Sequence, residues 1–313
     1  GIPTLDDGEE GEYLTDHLTD EAVRLIEHRD RSRPFYLNLW HYAVHVPIQP
    51  PPELVEKYKA KAEAAGLTKQ KTFEEGELMP VQHKRDRRVR RRLLQSDPAY
   101  AAMIENLDTN IGRVLDCLRA EGLERDTIVV FTSDNGGLST AEGAPTTNAP
   151  LAEGKGWMYE GGTREPLMVR WPGRIAAGSE CDVPVTSTDF YPTFLEAAGL
   201  PLMPRQHRDG VSILALLEGK GAPQRDGIFW HYPHYSNQGG TPGCSMRDGD
   251  YKLIEFFEDG KLELYNLRDD IGEDHDLAGE QKERTEAMAE RLRRWREEVG
   301  ALVPAVNENW VEH

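Results

Sequence analysis

The stretch Thr127-Ile128-Val129-Val130-Phe131-Thr132, running straight into Ser133-Asp134-Asn135-Gly136-Gly137, constrains the fold more than any other. A short run of β-branched and aromatic residues bounded by turn residues reads as a buried parallel strand. Before it, Ala102, Met103, Leu107, Ile111, Val114, Leu115 and Leu118 make one apolar stripe over residues 99–118, followed by a short loop at Glu121-Gly122. Helix, loop, strand is the repeating step of a doubly wound α/β sheet. In such sheets ligands gather beyond the carboxyl ends of the strands. Asp134 and Asn135 arrive there side by side, as hard oxygen donors of the kind Ca²⁺ and Mg²⁺ favour. The glycines let the chain turn away sharply. A plain strand-ending turn has the same composition, so the reading depends on what accompanies it.

A second strand end accompanies it. Residues 35–40 read as a buried strand, and the prolines from Pro47 onward forbid its ladder to continue, which leaves His45 just past the end. His41, with His17, His28 and His83, is assigned a structural role. Lys155, between Gly154 and Gly156 after a loop rich in Thr, Pro and Gly, reads either as an anion contact or as a surface lysine on a flexible loop. Residues 14–28 read as a helix, and 167–171 as a strand. Asp189 reads as a structural cap on a helix over 190–198. The six arginines of 85–92 read as a solvated helix face. Composition changes near 219–223, placing a boundary between 1–220 and 221–313. Beyond it come strands at 227–231 and 245–247, a hairpin about Glu258-Asp259-Gly260, and an amphipathic helix over 283–299.

Charge narrows the function. With 55 acidic against 37 basic side chains and a net charge of −18, the chain lacks the basic footprint of a nucleic-acid binder. An anionic substrate would need a locally positive site, supplied by a metal ion, Lys or His. The 3 cysteines, Cys117, Cys181 and Cys244, form neither a disulfide framework nor a zinc spacing. Cys117 reads as a small buried hydrophobe. No apolar run approaches the length of a membrane span. Residues 1–12 are acidic and irregular, like the middle of a loop, and Asp6-Asp7 follows no strand pattern.

Taken together, several motifs resemble the formylglycine-dependent (type I) sulfatases of the alkaline-phosphatase superfamily. They are Pro34-Phe35 through His45-Val46-Pro47, Phe131-Thr132-Ser133-Asp134-Asn135-Gly136, Gly154-Lys155-Gly156 with Tyr159-Glu160-Gly161-Gly162, and Arg170-Trp171-Pro172-Gly173. Arg247-Asp248-Gly249-Asp250-Tyr251-Lys252-Leu253 and Glu263-Leu264-Tyr265-Asn266-Leu267 complete the ordered set. The resemblance implies an alkaline-phosphatase-like α/β/α sandwich, truncated at the amino terminus, with a smaller C-terminal antiparallel sheet plus helix. It implies that Asp134 and Asn135 bind Ca²⁺ or Mg²⁺, and that His45 and Lys155 hold the sulfate and assist the leaving alcohol. His231, His234 and Arg247 are candidates for contacts to the rest of a sulfated small molecule or glycan. The family's nucleophile is a Cys or Ser oxidised to formylglycine in Cys/Ser-x-Pro/Ala-x-Arg, and none of the three cysteines fits that pattern. The chain therefore looks like the C-terminal two-thirds of a sulfatase, and alone it is expected to be inactive. By analogy with exported members, a periplasmic or extracellular location is expected. Two other readings stay open: a phosphate-ester hydrolase of the same superfamily, and a non-catalytic protein that binds sulfated glycans.

Overall fold

The computed structural model describes residue 8, residues 11–305 and residues 307–308. Asp6 and Asp7, with most of the irregular acidic start, lie outside the described residues. Two compact units emerge.

The first unit comprises residues 1–72, 92–130 and 169–173. Helices α1 (Leu14–Glu27) and α2 (Pro52–Ala64) both pack on α3 (Pro98–Ala120). Asp97 starts α3 by accepting the backbone N–H groups of Ala99 and Tyr100, with Pro98 in the first turn where no N–H is needed. Ile26, Cys117 and Leu118 form the core, joined by Val23, Leu37 and Val129. Asp16 on α1 accepts from the Nδ2 atoms of Asn106 (2.9 Å) and Asn110 (2.6 Å) on α3, so the polar contact between the two helices is satisfied.

Residues 35–40 depart from expectation. None of them lies in a described strand, and Tyr36 and Trp40 are 73% and 76% exposed. A strand sequence makes a ladder only where a neighbour offers its own backbone edge.

The second unit comprises residues 73–91, 131–168 and 174–313. Strands β1 (Phe73–Leu78) and β2 (Arg88–Arg92) pair with each other. This corrects the helical reading of the arginine run: Val89 and Arg92 are buried while Arg88 and Arg90 are exposed. Strand β3 (Val129–Thr132) pairs with β4 (Leu167–Arg170), which follows the single-turn helix α4 (Glu160–Thr163). Helices α5 (Phe190–Ala197) and α6 (Leu214–Leu217) come next. Asp189 is structural, as expected, but it does not cap α5 with its side chain. Fully buried, it closes a capping box with Thr186, accepts from Val211 N (3.0 Å) and pairs with Arg225 (2.7 Å).

Residues 221–313 lie wholly in this unit. Strands β5 (Ile228–Tyr232), β6 (Gly243–Asp248), β7 (Tyr251–Phe256) and β8 (Leu262–Asn266) form an antiparallel meander in that order. Helix α7 (Lys282–Val299) covers one face: Met288 and Leu292 pack on Cys244, Met246, Leu253 and Leu264. On the same face Phe229 stacks on Trp295 with ring centroids 4.8 Å apart. The other face buries Ile254 and Tyr265 against Met158, Tyr159 and Trp230. Through Met158 and Tyr159 the sheet therefore fixes the segment just past Lys155. Among the described residues no helix is long and apolar enough to cross a membrane.

Candidate active site

Strand β3 ends at Thr132, and the chain turns through Ser133, Asp134 and Asn135. Asp134 is exposed, and its Oδ2 accepts from Asn135 Nδ2 at 2.6 Å. Ser133 Oγ donates to Asn135 O at 3.0 Å, which tightens the turn. The next two residues lock onto the loop that carries Lys155. A Cβ on Gly136 would stand 1.8 Å from Gly161 O, and one on Gly154 would stand 2.3 Å from Gly137 O, so only glycine permits this approach. Lys155 N donates to Gly137 O at 3.2 Å. Asn148 clamps the junction. Its Nδ2 donates to Gly137 O and to Glu153 O, both at 2.8 Å, and its Oδ1 accepts from Gly137 N at 3.0 Å. Asp134, Asn135 and Lys155 are thus brought together through their backbones. His45 lies in the first unit, exposed, with Nδ1 2.7 Å from Val46 O.

Glu165 stands beside Asp134. Burial, and then the negative charge of Asp134, push its carboxyl up to about 7, and its buried Oε1 has no hydrogen-bond partner. A divalent cation relieves the repulsion between neighbouring carboxylates. The donors fit a hard cation in kind. Among the described residues, however, no group of three or more His, Cys, Asp and Glu could hold a metal ion, so these residues supply only part of the six to eight oxygens Ca²⁺ takes.

Behind the loop, Lys252 is fully buried on β7, 2.9 Å from Glu160 Oε1 and 3.0 Å from Glu273 Oε1. Glu160 N donates to Glu273 Oε2 at 2.6 Å, and Arg247 Nη1 reaches Glu160 Oε2 at 3.3 Å. Burial, opposed by the charge of Lys252, leaves the Glu273 carboxyl raised to about 6. Next to this cluster is a cleft of about 390 Å³, where Arg91 pairs with both Glu77 (2.8 Å) and Glu153 (2.6 Å).

The three residues expected to touch the remainder of a substrate are not gathered. His231 pairs with Cys244 in the sheet register, whereas Arg247 pairs with Ile228. Cys244 faces α7 and Arg247 faces Glu160, so His231 and Arg247 point from opposite faces of the sheet. His231 Nε2 lies 2.9 Å from Leu302 O, and exposed His234 meets Tyr232 edge-on at 5.5 Å.

The sulfatase family model matches residues 3–200, and the model for the C-terminal part of N-sulphoglucosamine sulphohydrolase matches residues 153–298. The chain belongs to the sulfatase family. It is 37% identical over 287 residues to a sulfatase of Formosa agariphila, a match covering 86% of this chain and 46% of that one. It is 26% identical over 357 residues to N-acetylglucosamine-6-O-sulfatase of Bacteroides thetaiotaomicron, covering 91% of this chain and 62% of the relative. Among solved structures, that of Ps i-CgsB superposes with a TM-score of 0.73 at 26% identity, covering 92% of this chain and 56% of that one. The same protein has been solved in complex with k-i-k-neocarrahexaose. The alkaline-phosphatase-like fold expected from the motifs is therefore shown. The chain spans about half the length of the first of these relatives, 46%.

Sequence reasoning missed Asn148, Glu165 and the Lys252 cluster. Nothing in the sequence marks Asn148, a single Asn in a Thr- and Pro-rich loop. Lys252 did leave a signal: a lysine sharing one strand face with Ile254 and Phe256 needs a buried partner.

Proposed function

We propose that this chain carries the cation- and anion-holding part of a sulfuric ester hydrolase for sulfated glycans or related esters. The observation that supports this most is the lock between two loops, in which Lys155 N donates to the carbonyl of Gly137, two residues past Asn135. An ammonium and a pair of oxygen donors on one rigid junction suit an oxyanion flanked by a cation. The names of relatives point to sulfated sugars as the substrate class: an N-acetylglucosamine-6-O-sulfatase and a protein solved with a neocarrahexaose.

In this reading Asp134 and Asn135 hold the divalent cation, with Glu165 beside them. When bound, the cation draws negative charge off the sulfate oxygens. Lys155 neutralises further charge on the sulfate through its ammonium group. His45 supplies the proton that the departing alkoxide needs, since imidazole exchanges protons near neutrality. Asn148 keeps the Lys155 loop in register with the strand end. A formylglycine nucleophile would come from a segment outside these 313 residues, so the isolated chain should not turn over. Export to the periplasm or beyond belongs to the same proposal, on family analogy alone.

Two measurements test this. Calorimetric titration of the chain with Ca²⁺ and Mg²⁺ should show single-site uptake that Asp134→Ala abolishes. Joined to an amino-terminal sulfatase segment bearing formylglycine, the chain should release sulfate from aryl and 6-O-sulfated sugar esters. Phosphate release from the matching phosphate esters, with no sulfate release, would move the assignment to a phosphate-ester hydrolase.

A further inference from the structure

Six arginines between residues 85 and 92 stand out in a chain whose net charge is −18. Folding divides them by face. Val89 is buried with Met79 and Val81 against Trp157, and on the same side of β2 Arg91 pairs with Glu77 and Glu153. Arg88 and Arg90 alternate to the other side and are exposed, as are Arg85 and Arg87 ahead of the strand. Among the described residues no ion pair ties any of these four to a carboxylate, in contrast to Arg91. Two of them are nevertheless held in place. Arg88 Nη1 donates to Gly76 O at 2.8 Å, and the Arg90 guanidinium lies 3.6 Å from the centre of the Phe73 ring. An exposed guanidinium fixed in this way offers paired N–H donors that match the oxygens of a sulfate group.

The hairpin of β1 and β2 is fastened on both sides of Lys155. Before it, Glu153 accepts from Arg91 Nε at 2.6 Å; after it, Trp157 packs with Val89. Gly239 makes room for the second contact, since a Cβ there would stand 2.5 Å from the Trp157 ring and 2.9 Å from Val89. Lys84 Nζ adds a bond to Asn237 O at 3.1 Å. A ligand on the outer arginines is therefore held in fixed relation to the loop that carries Lys155. Charge selects what that ligand is. The acidic bulk of the molecule repels a lone anion, and at physiological salt a field fades over about 8 Å, so only contact with several cations at once offsets the repulsion. A polymer bearing many sulfate groups makes those contacts along its length.

We propose that Arg85, Arg87, Arg88 and Arg90 form a contact surface for a glycan carrying several sulfate groups, apart from the ester held at Lys155. The substrates are then multiply sulfated polymers, gripped at sulfates that are not hydrolysed. This rests on the sulfated-glycan reading of the site, and it concerns binding alone.

The test uses the full 313-residue chain with labelled heparin, a densely sulfated glycan, and the same heparin after chemical desulfation. Fluorescence anisotropy should show heparin binding that weakens as salt is raised, and much weaker binding of the desulfated form. Replacing the four arginines by Gln should weaken heparin binding about tenfold or more, as the loss of four exposed ion pairs predicts. A variant with Lys59, Lys69, Lys220 and Arg294 replaced by Gln loses the same charge elsewhere, and it should bind within about twofold of the parent. Phenylglyoxal modification of the parent chain, mapped by mass, gives a readout that needs no variant to fold: heparin should protect the arginines of 85–90. No heparin binding, equal loss in both variants, or unprotected arginines overturns the proposal. So does equal affinity for single-stranded DNA, which would mark a general polyanion surface, or for desulfated heparin, which would remove the role of sulfate. Sulfate release is not read. Protected arginines in a completed enzyme that hydrolyses no sulfate ester would sink the catalytic reading and leave the contact surface standing.

Discussion

At the scale of single residues, the strand end is set by one clamp and one uncompensated carboxyl. Asn148 makes three hydrogen bonds to the backbone of Gly137 and Glu153. Net contributions near 1 kcal/mol each predict that Asn148→Ala costs about 2–3 kcal/mol in urea denaturation. Asn148→Asp should recover little, because the two donated bonds are lost. Glu165 gives a pH signature. Its carboxyl sits at about 7 in the folded chain against 4.5 as the unperturbed value. The folded state thus holds its proton longer, so its contribution to stability is complete below about 4.5 and is lost as pH climbs through about 7. Glu165→Gln, which cannot ionise, should melt higher than the parent at pH 8 without divalent ions and equally at pH 4. Thermal unfolding at the two pH values checks this, and equal melting at pH 8 would remove the carboxylate pair from the account of the site.

Among the elements, α4 shows how a piece too short to be stable alone is held in place. Four residues cannot offset the cost of nucleating a helix. Lys252 on β7 and the Glu273 carboxylate anchor it through Glu160, which is 2% exposed. Removing the cation would leave two carboxylates buried together. Lys252→Ala should therefore destabilise the second unit by about 3–5 kcal/mol, read as a lower urea midpoint. A surface lysine such as Lys220, 69% exposed, should change it by less than about 0.5 kcal/mol when replaced. The C-terminal meander is thus a platform as well as a subdomain. One face is filled by α7, and the other fixes the segment after Lys155.

For the whole molecule, what could be read from sequence divides along a physical line. The hairpin about Asp259-Gly260, helix α7, helix α3 and strand β3 with its Asp-Asn end were all legible, because hydrophobic period and turn chemistry are local. The arginine run was misread because helix and strand faces look alike in so charged a stretch, and only pairing with β1 makes it β2. That His231 and Arg247 occupy opposite faces was not legible, because the register of β5 on β6 decides which face each takes. By itself, then, the sequence determined the elements with a clear local period, the family and the side chains available for chemistry. The tertiary structure alone decided that Gly137 meets Lys155, that Lys252 is buried between two glutamates, and that residues 34–42 lie without a described ladder. Each of those depends on backbone or charge supplied from a distant part of the chain, which no local pattern records.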